Sequence, residues 1–99
     1  MKYSFFKIIK TVCILPNHGF LLLTTYPSRV EVDTVSFIPP KEPYELNVHE
    51  FGDTCNNAIG KQLIKIDNNT ISTDINLVGR SIALSYGPIM TYGIIAYRE

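Results

Sequence analysis

The stretch YELNVHEF, residues 44–51, decides the fold. Tyr44, Leu46 and Val48 fall on one face and Glu45, Asn47 and His49 on the other, the period of two that belongs to a half-buried strand. The residues that follow, from Gly52 to Gly60, are rich in Gly, Asn and Asp and read as a loop. Strand and loop together hold His49, the carboxylates Glu50 and Asp53, Cys55 and two glycines. Those residue types so close together have the look of part of a metal site.

Working outward, the rest of the chain reads as short strands broken by turn residues, the pattern of a sandwich or barrel. KTVCIL (Lys10 to Leu15) alternates and is rich in β-formers, and PNHG (Pro16 to Gly19) turns it into FLLLTTY (Phe20 to Tyr26). VEVDTVSFI (Val30 to Ile38) changes phase between Val32 and Val35, which predicts a bulge or bend. PPKEP (Pro39 to Pro43) is a loop. KQLIKID (Lys61 to Asp67), LVGRSIALSY (Leu77 to Tyr86) and IMTYGIIAY (Ile89 to Tyr97) complete a set of about seven strands. A turn follows at Asp67 to Thr70, then a longer connection to Asn76. Phe5, Ile8, Ile9, Val12 and Cys13 also fit helical spacing, but β-branched residues from Ile8 onward favour a strand.

The 99 residues suit one domain, residues 1–99, with residues 1–9 as a loosely attached extension. Nine basic and nine acidic residues cancel, so no electrostatic footprint for nucleic acid or an anionic membrane is expected. Lys7 and Lys10 interrupt what would be the apolar part of a signal peptide, and no apolar run is long enough to span a bilayer. An intracellular, soluble protein is expected. Asn68-Asn69-Thr70 is a formal glycosylation acceptor, with meaning only in a secreted chain. Two cysteines, Cys13 and Cys55, do not make a disulfide scaffold, and no spacing of a structural zinc site occurs.

VHEFGD (Val48 to Asp53) resembles the signature strand and loop of copper/zinc superoxide dismutases. KTVCIL is similar to that family's first strand, including a buried cysteine at Cys13. LVGRSIAL resembles its glycine-arginine segment, and TYGIIAY its final strand, in the same order. The resemblance implies a Greek-key β-barrel or sandwich, with the family's zinc loop deleted between Gly60 and Lys61.

Carried over residue by residue, the resemblance implies a dismantled metal centre. Of the family's copper ligands, the first position holds Asn47, the second His49 and the last Ser85. The bridging and zinc ligands fall in the deleted loop. His49 alone is insufficient for copper, which wants several donors near a plane, and it reads better as a partly buried polar residue that hydrogen-bonds locally. The substrate-steering arginine corresponds to Ile89, and the partner of the family's loop cysteine, matched by Cys55, corresponds to Tyr92. No cofactor and no dismutase activity are therefore expected. The contrary reading has His18, His49, Cys55 and Asn47 converging on one copper with residual redox activity.

What is retained matches the family's dimer contact: Phe51, Gly52, Asp53, Val78, Gly79, Ile94 and Tyr97, braced by an ion pair of Glu50 and Arg80. Gly52 and Gly79 also suit turns, and Phe51, Val78 and Ile94 a core, so the same residues are equally explained by folding alone. Among family members the chain looks most like the truncated poxvirus superoxide dismutase-like proteins, regarded as inactive. That implies a binding module or decoy: a homodimer, or a heterodimer with a dismutase subunit or its copper chaperone. The host cytoplasm or the virion is its expected place.

Overall fold

The computed structural model describes residues 8–52, 60–73 and 76–98. Eight strands order them: β1 (Ile9–Ile14), β2 (Phe20–Thr25), β3 (Arg29–Asp33), β4 (Glu45–His49), β5 (Gln62–Lys65), β6 (Thr70–Ser72), β7 (Ser81–Tyr86) and β8 (Ile89–Tyr97). They form one antiparallel sheet in the order β5-β4-β7-β8-β1-β2-β3-β6, which curls into a nearly closed barrel. The barrel stays open between β5 and β6, which pair with β4 and β3 but not with each other. The β6–β7 connection carries the chain back so that β7 lies beside β4, a Greek-key return.

Alternation places the core. Cys13, Leu21, Leu23, Val30, Val48, Ile82, Leu84 and Ile95 point inward and are fully buried. Residues 9–14 form a strand, so β-branching prevails over the helical spacing there. The turns follow the local chemistry. In Pro16 to Gly19, Asn17 and Gly19 take positive φ (67° and 76°), which glycine and asparagine tolerate best. A side chain at Gly19 would run into the carbonyl oxygen of Ser36.

Two expectations need correction. The strand foreseen from Val30 to Ile38 ends at Asp33. Asp33 Oδ1 accepts from the amide of Val35 at 2.9 Å, and the amide of Phe37 donates to the carbonyl of Thr34 at 3.1 Å. Of the expected bulge or bend, the phase change is the bend, a turn with Val35 exposed and Phe37 buried. There is also an eighth strand. The Thr70–Ser72 segment pairs with β3, burying Ile71 against Val30. With one apolar residue in three, its sequence alone carries almost no strand signal. Of the expected N-terminal extension, residues 1–7 lie outside the described residues.

Candidate functional site

The outward face of β4 and β7 carries the residues that the resemblance singles out. Register aligns His49 with Ser81, Asn47 with Ala83 and Glu45 with Ser85. An outward row should be wet, yet Asn47, His49, Ser81 and Ala83 are at most 8 % exposed. The two ends of the Phe51–Gly60 connection are tied down over this row. The backbone carbonyl of Gly60 accepts from His49 Nδ1 at 3.1 Å, and that of Phe51 accepts from Ser81 Oγ at 2.6 Å. The amide of Glu50 donates to the carbonyl of Lys61 at 3.0 Å, closing the neck. A carbonyl oxygen can only accept, so His49 carries its proton on Nδ1. Asn47 Oδ1 is buried with no partner among the described residues.

This set does not fit copper. It offers one imidazole, held to a backbone carbonyl through its Nδ1–H, one amide oxygen and hydroxyls. Among the described residues no three of His, Cys, Asp and Glu come together. His18 does not join the row either. Its Nδ1 donates to the carbonyl of Ile38 at 2.8 Å, and its Nε2 is 3.0 Å from the Tyr86 hydroxyl. Tyr86 and Ser81 are the two ends of β7, about 17 Å apart at strand rise, and His49 is at the Ser81 end. Ile89 is half-exposed opposite Tyr86, and Tyr92 sits opposite Ala83 on the outward face. Cys13 is a free thiol inside the barrel, and burial pushes its pKa up to about 12. Cys55 and Asp53 lie outside the described residues.

Of the residues matched to a dimer contact, Gly52, Gly79 and Ile94 meet. Gly52 packs on the turn before β7: a side chain there would overlap the carbonyl oxygen of Gly79 and come within 3.3 Å of Ile94 Cγ2. Gly79 has φ +87° and its amide donates to the carbonyl of Ile95 at 2.9 Å. Phe51 (54 % exposed) and Ile94 (44 %) stand on the surface beside them, with Val78 half-buried and Tyr97 exposed further along β8. Sequence reading missed that this apolar surface continues. Cys13 opposite Ile95 puts the outward Ile14 next to Ile94, and Ile14 pairs with Phe20. The outward alternation of Val12, Ile14, Phe20 and Leu22 was the available signal.

The Glu50–Arg80 ion pair needs correction. Arg80 does reach Glu50, but Nη1 donates to its backbone carbonyl at 3.0 Å, while Nε donates to the carbonyl of Asn76 at 3.3 Å. Among the described residues the ion pairs are Arg29–Glu31 and Lys65–Glu45. The arginine clamps main chain, where five fixed donors find acceptors that no sequence pattern announces.

No family model matches the chain, and no curated protein matches it. No helix of the described residues is long and apolar enough to cross a membrane.

Proposed function

We propose that the chain is a barrel of the copper/zinc superoxide dismutase type that has given up the chemistry and works as a binding module. It pairs through the face around Phe51 and Ile94 with a dismutase subunit, with the copper chaperone that docks on such a face, or with a second copy. Its place is the host cytoplasm or the virion, as a decoy or a packaged component.

One observation carries this reading. Gly52, Gly79 and Ile94 are brought into contact beside an exposed Phe51, next to a row where a metal centre would need several imidazoles and finds only His49, with Asn47 and Ser85 at the other matched positions. The Greek-key return that sets β7 beside β4, and the inward Cys13 on β1, support the same family. An outward apolar band from Ile94 through Ile14 to Phe20 gives the face more area than scattered surface residues would. A two-fold face of this kind accepts a related subunit because its contacts are self-complementary.

Sedimentation of the purified chain, alone and mixed with a copper/zinc superoxide dismutase or its copper chaperone, tests the proposal. A dimer or a mixed complex is expected. Ile94→Asp should weaken it by roughly 30-fold or more, the loss of a central apolar anchor. A chain that stays monomeric and ignores both proteins would remove the proposal.

A further inference from the structure

At the other end of the barrel a cleft opens that none of this uses. A cavity of about 530 Å³ lies between the Thr34–Tyr44 connection and the turn joining β5 to β6. A second concavity of about 370 Å³ adjoins it and shares Tyr44, Glu45 and Lys65. The first is of the size that takes a small ligand, roughly 300–1,000 Å³. It is reached at the Glu45 end of β4, whereas Phe51 and Ile94 lie beyond the His49 end, so the two surfaces are independent.

The lining limits what can sit there. The floor is apolar: Phe37, Leu46 and Ile66 are each at most 9 % exposed. Phe37 meets Tyr44 edge to face, with centroids 5.6 Å apart and planes at 64°, which holds the half-exposed Tyr44 ring at the divide between the two concavities. The rim is polar, with Glu45, Lys65, Asp67, Asn68 and Asn69. Lys65 Nζ lies 3.5 Å from Glu45 Oε1, so the cleft's cation is already matched and a phosphate or carboxylate ligand finds no spare positive charge. An acyl chain would strand the rim's amides and carboxylates without partners. A neutral polyhydroxyl compound suits both halves. Amides and carboxylates take its hydroxyls, and the Tyr44 ring takes its C–H face.

The turn adds a second observation. Asn68 and Asn69 both adopt left-handed backbone, φ 51° and 57°, in a turn closed by hydrogen bonds of 3.3 and 3.0 Å between Asp67 and Thr70. Glycine takes these angles at less cost, and Asn-Gly is the usual solution. The second amide at this rim, Asn69, is more than the turn requires. We propose that the cleft is a binding site for a neutral saccharide, two linked sugar rings lying on either side of Tyr44.

The test is an amide-resolved NMR titration of the whole chain with lactose, maltose, mannobiose and diacetylchitobiose, and with spermidine and inorganic phosphate as charged probes. At least one disaccharide should shift the amides of Glu45, Asn68 and Asn69 saturably. Asn68→Gly/Asn69→Gly, whose backbone angles suit glycine, should keep the fold and weaken that binding about tenfold, as should Tyr44→Ala. Ile94→Asp should leave it unchanged. If Tyr44→Ala does not fold, the double glycine variant decides alone. No disaccharide shifting these amides, equal binding by the double variant, or saturation by spermidine or phosphate alone would each overturn the proposal.

Discussion

Gly93 is the residue on which the closure of the barrel depends most directly. It lies inward on β8, opposite Ile82, two residues before the Cys13–Ile95 pair that joins β8 to β1. A methyl group at this position would overlap the carbonyl oxygen of Ile14, lie 2.9 Å from its carbonyl carbon and 3.2 Å from Cys13 Sγ. Two of the three obstacles are backbone, so no rotamer change relieves them. The strands must part, and the end of the short seam of Thr11–Tyr97, Val12–Ala96 and Cys13–Ile95 opens with them. Overpacking of this kind costs about 1–3 kcal/mol, and each ladder hydrogen bond lost adds about 1 kcal/mol. The smaller entropy of an unfolded chain with alanine returns at most about 1 kcal/mol. Gly93→Ala should therefore destabilise by about 3 kcal/mol and lower Tm by roughly 12–24 °C. Gly79→Ala is the internal comparison: at φ +87° it carries the left-handed cost of about 1–2 kcal/mol, but among the described residues nothing beyond its chain neighbours stands within 4 Å of the added methyl. Urea and thermal unfolding followed by circular dichroism would rank them. A Gly93→Ala protein within about 1 kcal/mol of the parent, or more stable than Gly79→Ala, would refute the steric argument.

Three further predictions follow from buried groups. Cys13 has its pKa raised from 9.0 to about 12 by desolvation, so the folded chain resists its ionisation. That contribution to stability is complete below pH 9.0 and is lost as the pH rises from there towards about 12, by up to about 1.4 kcal/mol per pH unit; urea midpoints of the parent should fall more steeply over this range than those of Cys13→Ala. Asn47→Leu should be neutral or stabilising by about 1 kcal/mol in the same assay, because it removes a buried amide oxygen that has no partner among the described residues. Ser81→Ala should cost about 1–2 kcal/mol by leaving the Phe51 carbonyl without its 2.6 Å donor; a loss of a few tenths would mean that solvent satisfies that carbonyl.

How far the fold was legible depended on the range of the forces involved. β8 spans the nine residues read as the last strand, and β4 lacks only the ends of the Tyr44–Phe51 pattern. β6 was not legible, because its three residues are a strand only by pairing with β3. The outward row was legible as a row, since Asn47 and His49 are two residues apart. His49 was also legible as a partly buried residue bonding locally, but the burial of Asn47, Ser81 and Ala83 was not, because the atoms that hold the cover in place are backbone carbonyls of Phe51 and Gly60. The ion pair of Glu50 and Arg80 was what the resemblance implied, whereas the guanidinium finds the carbonyls of Glu50 and Asn76. The cleft beside Tyr44 escaped because its rim comes from two connections far apart in sequence.

These carbonyls also link the polar row to the proposed pairing face. His49, Ser81 and Arg80 all spend a donor on the neck of the Glu50–Lys61 connection, at Gly60, Phe51 and Glu50. Phe51 and Gly52 leave that neck and form the exposed surface beside Ile94. Positions that resemble the metal strand therefore act here as anchors for the surface. Ser81 is fully buried and cannot touch a partner, yet Ser81→Ala frees the carbonyl of the very residue, Phe51, that the face presents. If the pairing proposal holds, this substitution should weaken association as well as stability. It should do so by slowing the approach to a bound geometry that the parent already holds, since ordering a loop on binding opposes affinity. Equal association by Ser81→Ala and the parent, measured well below the melting range of both, would mean that the face is held by Gly52 against Gly79 and that the polar row serves folding alone.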